Sequence, residues 1–496
     1  MLEEKYNREL VWVVVVGLFF TILGMATTSP ALNTGDYDRT LVTMALSVGG
    51  WSVPDVCIPY NTADIEAPTS TLAIFGNLFS QLDRALGHDC LHHERWYIAL
   101  SLIYWLGVFF AVRLPAGARP ATKLVLFSLV FFLFSGFFYS FYQEAMLFAL
   151  TPWLFAILQA RQPALLPFLL VLALAMYVKT QMLLFVPVLM LWIIQAHDRA
   201  PSRLRTVLAT AVVVAVGWLA LHADTFNTEQ NAFNRIFNGI GWSLLEAETW
   251  PEHEFDARHS YFYDHEAALT RQAGHACAPA HLDIMGTAFW PTADDLAHMV
   301  RDTPTAREDA DFVQHLGLGD FLACLQGGAV SPLRYLHTIY AIYLGSDYAV
   351  PYAIPYDRSG AVAEAANALR AALLRHLPYL GGLAALVAIA LSRSRAVALA
   401  AGYILIVTPV LVVMADGYFE FEKHMTMSFV MLLGPVLADA RFYRRPPERA
   451  FPTASSEHLP EVPVAGRLSS AWSRAQARAQ SKAGRAGRGK VGRAGT

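Results

Sequence analysis

Residues 11–28, VWVVVVGLFFTILGMATT, contain no charged side chain, and residues 33–39, NTGDYDR, follow soon after them. An apolar run of about 20 residues, at a helical rise of 1.5 Å per residue, is long enough to cross a bilayer. The run therefore predicts a transmembrane helix that delivers Asp36, Asp38 and Arg39 to the water interface. We expect these three residues to begin an extramembrane loop.

The composition of the whole chain is typical of a polytopic membrane protein. Of its 496 residues, 55% are hydrophobic and only 16% are charged. Soluble domains carry about 25% charged residues. The predicted fold class is therefore an all-α polytopic membrane protein with about ten transmembrane helices. The apolar runs lie near residues 11–28, 96–112, 124–142, 145–159, 164–178, 182–195, 206–222, 376–391, 396–414 and 426–440.

Basic residues in the short loops predict the orientation of these helices. Cytoplasmic loops of membrane proteins carry an excess of lysine and arginine. Both termini are therefore expected in the cytoplasm, which places residues 29–95 and 223–375 outside as two large extracytoplasmic loops. The basic residues are Arg113, Arg119, Lys123, Arg161, Arg199, Arg203, Arg205, Arg393, Arg395, Arg441, Arg444, Arg445 and Arg449.

This orientation divides the chain into four regions. Residues 1–222 form an N-terminal transmembrane module, residues 223–375 a large extracytoplasmic loop or lobe, and residues 376–445 the C-terminal transmembrane helices. Residues 446–496 carry eight Lys or Arg and no acid from position 467 onward, which predicts a disordered, basic cytoplasmic tail. We expect this tail to contact membrane lipids and rank nucleic-acid binding below that.

The cysteines give an independent indication of the same orientation. All four, Cys57, Cys90, Cys277 and Cys324, fall in the two long outward loops, although the length of these loops makes chance a competing explanation. Three pairings are possible, and the simplest joins Cys57 to Cys90 and Cys277 to Cys324. Disulfides persist in oxidising compartments, which favours the periplasm for this side of an inner, or plasma, membrane.

The first loop contains an amphipathic stretch, TSTLAIFGNLFSQLDRALG, at residues 69–87. Its leucines and phenylalanines recur at helical spacing, which predicts a helix with one apolar stripe. The stripe could lie in the plane of the lipid headgroups or pack on the protein's own helices. The pattern favours neither placement.

Further polar residues are predicted to reach the outward ends of the membrane helices. Taken alone, each of them could instead belong to an aromatic belt at the interface or be a lysine that extends its ammonium group to water. Together they would surround one cavity once the helices are bundled. An acid there could take a proton from an acceptor, and cations could stabilise a departing phosphate. These cavity residues are Arg39, Glu144, Lys179, Gln181, Glu420, Glu422, Lys423 and His424.

The acids Asp36 and Asp38, placed just after the first transmembrane helix, resemble the modified Asp-x-Asp motif of the GT-C superfamily of integral membrane glycosyltransferases. The long helical first loop, the roughly seven spans before the large loop and the further spans after it are similar as well. The resemblance implies a polyprenyl-phosphate-linked sugar as donor and a loop-one acid as catalytic base. The acceptor, whether a glycan, a lipid or a protein, is left open.

On this interpretation Asp36 is the general base of an inverting transfer. Asp38 would orient the acceptor, or bind a divalent cation such as Mg²⁺ or Mn²⁺ if the reaction uses one. Lys179, Lys423 and His424 would stabilise the donor's phosphate, and Glu144 would hold one of these cations in place.

Two other classes of protein compete with the glycosyltransferase. An O-antigen polymerase or ligase also has many spans and one large outward loop, and typically relies on arginines and a histidine in that loop. In this chain the corresponding arginines would be residues such as Arg235 or Arg258. A transporter or flippase of lipid-linked glycans commonly shows internal repeats, which we do not detect. The sequence has no Walker motif and no GxSxG elbow, which argues against an ATP-driven pump and a serine hydrolase. Its histidines lack the spacing of a recognisable zinc site.

Overall fold

The structure is a computed structural model in which the described residues belong to one compact unit, Met1–Tyr443. The predicted tail, residues 446–496, and the predicted span 206–222 lie outside the described residues. The described ranges are 2–30, 36–46, 57–60, 70–114, 119–159, 165–188, 235, 239–244, 273, 277, 318–326, 330–346, 348, 358–391, 395–416 and 421–438.

The described part of the chain is mostly helical, as predicted. Two short antiparallel strands, β1 (Cys57–Pro59) and β2 (Cys90–His92), pair within the first loop. The helices are α1 (Leu2–Thr27), α2 (Asp36–Thr43), α3 (Thr71–Ala85), α4 (His93–Arg113), α5 (Pro120–Phe134), α6 (Gln143–Gln159), α7 (Leu165–Val178), α8 (Gly239–Leu244), α9 (Leu318–Gln326), α10 (Pro332–Gly345), α11 (Ala361–Arg375), α12 (Leu377–Leu391), α13 (Arg395–Gly402), α14 (Thr408–Asp416) and α15 (Phe421–Ala438).

Four described helical stretches are long and apolar enough to cross a membrane, which supports a membrane protein. They are Arg8–Thr27, His93–Arg113, Pro120–Tyr139 and Ala398–Ala415. Two further apolar helices, Gln143–Ile157 and Leu377–Val387, are shorter. The count of ten spans therefore stays a prediction.

The helices of the N-terminal half alternate in direction, so that several of their ends meet. Trp96 in the first turn of α4 donates from its indole Nε1 to the carbonyl of Ser140, just before α6, at 3.1 Å. The end of α1 lies beside the same region, because Gly24 packs against Tyr97 of α4. We call this end, where α1 ends and α4 and α6 begin, the loop-one end of the bundle.

At the opposite end a buried lysine closes α4. Lys123 Nζ donates to the carbonyls of Ala111 and Leu114 at 2.8 Å each. The last carbonyls of a helix have no intrahelical partner and carry partial negative charge, so a cation there is stabilising. Lys123, predicted from its charge to lie in a cytoplasmic loop, instead belongs to the first turn of α5 and joins α5 to α4.

A buried arginine joins α11 to α1 and α5 at the loop-one end. Arg370 is 1% exposed, and its Nε donates to the carbonyl of Phe132 at 2.8 Å. Its Nη2 donates to the hydroxyl of Thr27 at 3.1 Å. Asn367, one turn away on α11, donates to the Thr27 carbonyl at 3.1 Å. The end of the segment 223–375 is therefore fixed to the end of the first helix.

Helix α10, in the segment predicted to be an outward loop or lobe, packs against the sides of the C-terminal helices. Tyr343 stacks on Phe429 with 6.1 Å between ring centroids, and Phe429 lies two turns inside α15. The hydroxyl of Tyr340 donates to the carbonyl of Ile406 in the π-helical stretch Tyr403–Val407. Part of the segment thus lies beside the C-terminal helices and not above their ends.

The first loop is held together by one buried carboxylate. Asp83 of α3 accepts from the hydroxyl of Tyr60 at 2.5 Å and lies 3.1 Å from Nη1 of Arg95 in α4. Burial and the hydrogen bond to Asp83 raise the pKa of Tyr60 above its ordinary value, so Tyr60 remains a donor at neutral pH. These contacts join the region of the short sheet to α3 and α4.

The structure bears out one of the two predicted disulfides. Cys277 and Cys324 are bonded, with 4.9 Å between their Cα atoms. Cys90 is also disulfide-bonded, and its strand pairs with the strand that holds Cys57. The side chain of Cys57 lies outside the described part, so the Cys57–Cys90 pairing stays a prediction.

Mass spectrometry of non-reduced peptides is expected to recover both pairs from the purified protein. Cys277 should appear linked to Cys324, and Cys57 to Cys90, with no thiol alkylated before reduction. Reduced and alkylated protein gives the reference masses. Free thiols at all four positions, or thiols labelled from the cytoplasm, would contradict the predicted orientation.

Gly24 is required by the close approach of α1 to α4. A Cβ atom at this position would overlap the Tyr97 hydroxyl and lie 3.1 Å from Oγ of Ser135. Tyr97 is fully buried, so its ring has little room to move. Overpacking of this kind costs about 1–3 kcal/mol. We expect Gly24→Ala to lower the free energy of unfolding by that amount, seen as a lower thermal midpoint.

Gly382→Ala is the matched control for Gly24→Ala. Gly382 also lies in an apolar helix, but among the described residues nothing beyond its own helix backbone and chain neighbours lies within 4 Å of a Cβ built there. Because alanine has the higher helix propensity, this variant should melt at or above the parent's temperature. Equal melting temperatures for the two variants would contradict the packing explanation.

Candidate functional site

Three ionisable side chains meet at the loop-one end of the bundle. Glu144 comes from the first turn of α6, Lys179 from the residue after α7, and His424 from the first turn of α15. Lys179 Nζ lies 2.5 Å from Glu144 Oε1 and 3.2 Å from His424 Nδ1. His424 Nδ1 lies 3.7 Å from the same carboxylate oxygen. We call these residues, together with Lys423, the ion cluster.

The ion cluster is buried to unequal extents. The side chain of Glu144 is 1% exposed and that of His424 is 7% exposed, whereas that of Lys179 is 17% exposed. A buried charge is tolerated only when partners compensate for its lost hydration. Glu144 therefore depends on its two neighbours, and Lys179 is the member of the three that best reaches a ligand from outside.

A second lysine enters the cluster from α15. Lys423 is 1% exposed, and its Nζ lies 4.6 Å from the centroid of the Tyr142 ring. A cation over an aromatic face is attracted by the ring's quadrupole, more strongly where water is excluded. Tyr142 directly precedes α6, so this contact brings Lys423 to the segment that carries Glu144.

The sequence placed the charged residues before α15 in an outward loop at 415–425 and the helix from 426. That boundary is wrong, because α15 begins at Phe421 and its first turn contains Glu422, Lys423 and His424. A prediction from hydropathy ends the apolar run where charges begin, but here all three charged residues are buried, each 5% exposed or less as a whole residue. The helix dipole also stabilises a carboxylate in the first turn, and this applies to Glu422 in α15 as well as to Glu144 in α6.

The predicted acid motif lies at the start of a short helix. Asp36, Asp38 and Arg39 belong to α2, Asp36–Thr43, which is compatible with a helical first loop, and the extramembrane position of that loop stays a prediction. Their side chains lie outside the described part of the structure. Only the position of their backbone is therefore established.

Helix α2 is connected to the ion cluster through α3. Asn77 of α3 donates to the carbonyl of Thr43 at the end of α2, at 3.4 Å. At its first residue α3 docks on α7, because the hydroxyl of Thr71 donates to the Leu174 carbonyl at 2.7 Å. Lys179 follows α7 directly. The acid motif and the ion cluster are thus held by one continuous set of packed helices.

The structure brings together Glu144, Lys179 and His424 as the sequence proposed, with Lys423 beside them. Gln181 lies in the 3-10 helix Thr180–Phe185, but its side chain is not described, and Glu420 lies outside the described residues.

The contact of Tyr142 with Lys423 was missed by the sequence analysis, because an aromatic residue at this depth is usually part of an interface belt. The position of Tyr142, two residues before Glu144, was the signal in the sequence that could have pointed to this contact.

Among the side chains that the structure describes, no group of three or more His, Cys, Asp or Glu residues could hold a metal ion. The acids of the predicted motif are outside that set. Whether Asp38 binds a divalent cation therefore stays a prediction.

Comparison with protein-family models, with curated proteins and with solved structures finds no match for this chain.

Proposed function

We propose that the chain is a membrane glycosyltransferase of the GT-C type. It takes a sugar from a polyprenyl-phosphate-linked donor and transfers it to a glycan, lipid or protein acceptor. The observation that carries the proposal is the ion cluster, which places two lysines and a histidine around one buried carboxylate at the end of the bundle where the acid motif begins. In the proposed topology about ten spans cross the inner membrane, both termini are cytoplasmic and the site faces the periplasm.

The proposed reaction is an inverting substitution at the anomeric carbon of the donor sugar. Asp36 takes the proton of the acceptor hydroxyl, whose oxygen forms the new bond to that carbon. The bond from the carbon to the phosphate oxygen breaks, and the phosphate leaves with the bonding electrons. Asp38 orients the acceptor in this scheme.

The ion cluster supports departure of the phosphate in this scheme. Preorganised cations in a partly dry site stabilise developing negative charge at little reorganisation cost. Lys179 is suited to the contact because it is the more exposed cation, while Glu144 fixes its position at 2.5 Å. Lys423 adds positive charge from the first turn of α15, and His424 adds it when its ring is protonated.

The identity of the lipid-linked sugars that accumulate when the gene is deleted tests this proposal. If the chain is a glycosyltransferase, deleting its gene should raise the level of the unused donor, a polyprenyl phosphate bearing one defined sugar. Reintroducing the wild-type gene should return that level to normal. The Asp36→Asn gene should fail to do so. An O-antigen polymerase or ligase would instead fail on replacement of Arg235 or Arg258 with both aspartates dispensable, which would reject the proposal.

A further inference from the structure

Helix α3 exposes large apolar side chains on one face and buries small or polar ones on another. Gly76, Ser80 and Asp83 pack against the protein. Gln81 and Arg84 are exposed polar groups, and the Arg84 guanidinium lies 5.8 Å from the centroid of the Tyr60 ring. A third face carries four apolar residues spaced four apart, which places them on one side of the helix. We call them the α3 ridge: Ile74, Leu78, Leu82 and Leu86, which are 41%, 61%, 59% and 69% exposed.

The contacts of α3 place it level with the loop-one ends of two membrane helices. Near its start, Thr71 donates to Leu174, in the last turns of α7, at 2.7 Å. Near its end, Asp83 lies 3.1 Å from Arg95, in the first turn of α4. Both ends of α3 therefore lie at the surface of the bundle, so the helix runs across these ends and not along the membrane helices.

Aromatic packing fixes which face of α3 points to the protein. The rings of Phe75 and Phe79 lie 5.5 and 5.8 Å from the ring of Trp96 in the first turn of α4. These two phenylalanines separate the ridge from the buried face. The ridge is consequently turned away from α4, and the exposed Gln81 and Arg84 lie on the remaining side.

The ridge begins where α7 already presents apolar side chains outside the bundle. Leu170 and Leu174 of α7, four residues apart, are 59% and 36% exposed. Ile74 follows one turn after the bond between Thr71 and Leu174. The ridge thus continues the exposed apolar surface of a hydrophobic helix. In a protein that spans a membrane, the solvent of such a surface is lipid.

We propose that the α3 ridge inserts into the lipid leaflet at the loop-one end of the bundle, with acyl chains and headgroups as its occupant. Amphipathic helices of this kind lie in the interface with their apolar face buried about 5–10 Å deep. Gln81 and Arg84 remain in water on the adjacent face. Because α2 is packed on α3 through Asn77 and Thr43, the helix that carries the acid motif rests on a lipid-anchored support. This inference does not depend on the proposed transfer reaction.

Site-directed nitroxide labelling tests the placement of the ridge in the full-length protein. Leu78→Cys and Leu82→Cys report on the ridge, and Gln81→Cys, one residue from Leu82, is the matched control. The labelled proteins are placed in bilayer nanodiscs of phosphatidylcholine and phosphatidylglycerol. Power saturation then compares collisions with oxygen, which partitions into lipid, and with a water-soluble nickel complex. The unmutated protein, carried through the same labelling, reports any native thiol.

Labels at positions 78 and 82 should show an oxygen-to-nickel accessibility ratio several times that at position 81. A ratio at the ridge equal to that at position 81 would place the ridge in water and overturn the proposal. Shielding from both reagents, with dipolar broadening between labels, would show a second copy of the chain on the ridge and also overturn it. The replaced leucines are exposed, so unchanged melting temperatures verify that each variant is folded.

Discussion

Asp36→Asn is expected to lower sugar transfer about 10²- to 10⁴-fold while the amount of protein in the membrane stays unchanged. Asparagine keeps the shape of the side chain but cannot accept the proton of the acceptor hydroxyl. Asp36 is the first residue of α2, where a carboxylate is compatible with the helix dipole, so the change should have little effect on folding. Transfer is measured in membranes with the lipid-linked donor that accumulates in the deletion strain.

Asp89→Asn provides the control for the loss of an acid from the same loop. Asp89 is exposed and lies beyond the end of α3, so its replacement should leave transfer near the wild-type rate. Asp38→Asn should show a smaller loss than Asp36→Asn, because that residue orients the acceptor and does not take its proton. If both aspartates can be replaced, separately and together, with transfer retained, the base lies elsewhere and the GT-C proposal loses its motif.

Lys179→Met is expected to reduce both transfer and stability. It removes the cation closest to Glu144 and leaves a carboxylate that is 1% exposed with His424 as its remaining partner among these three residues. Breaking one side of a buried ion pair costs about 3–5 kcal/mol. Thermal unfolding of the purified protein gives the stability change, and the membrane assay gives the loss of transfer.

The double variant Glu144→Gln with Lys179→Met separates the two roles of Lys179. Removing both charges leaves no uncompensated carboxylate, so the double variant should recover much of the stability lost in Lys179→Met. Transfer should stay low, because the cation that contacts the phosphate is still absent. Recovery of stability and transfer together would mean that the pair serves folding alone. Glu364→Gln, an exposed acid in the first turn of α11, should change neither quantity.

The sequence predicted helices best within the apolar runs themselves. The run at 11–28 ends at Thr27 in the structure, although α1 already begins at Leu2, and the run at 96–112 lies within α4. It failed at α15, where the helix continues through Glu422, Lys423 and His424. A helix can contain charges at such a position only because partners from other helices compensate for them. Those partners are distant in sequence, so no local pattern reveals them.

The amphipathic stretch in the first loop illustrates a different limit. Its helix was predicted at 69–87 and is found at Thr71–Ala85. The sequence could not decide whether its apolar stripe faces lipid or protein, because both are apolar surroundings. In the structure the stripe is divided, with Leu72 buried against the protein and Leu78 exposed. Small residues such as Gly76, which let α2 approach through Met44, decide this division.

The bonds of Arg370 and Asn367 to Thr27 close a ring in the polypeptide, since the residues of one of these contacts are 340 positions apart. The first helix and the last third of the chain thereby share a mechanical joint that does not pass through the intervening sequence. A single proteolytic cut in the large segment would leave two fragments that are still hydrogen-bonded to each other at the end of α1. Force applied to that segment would likewise reach Thr27 directly through α11.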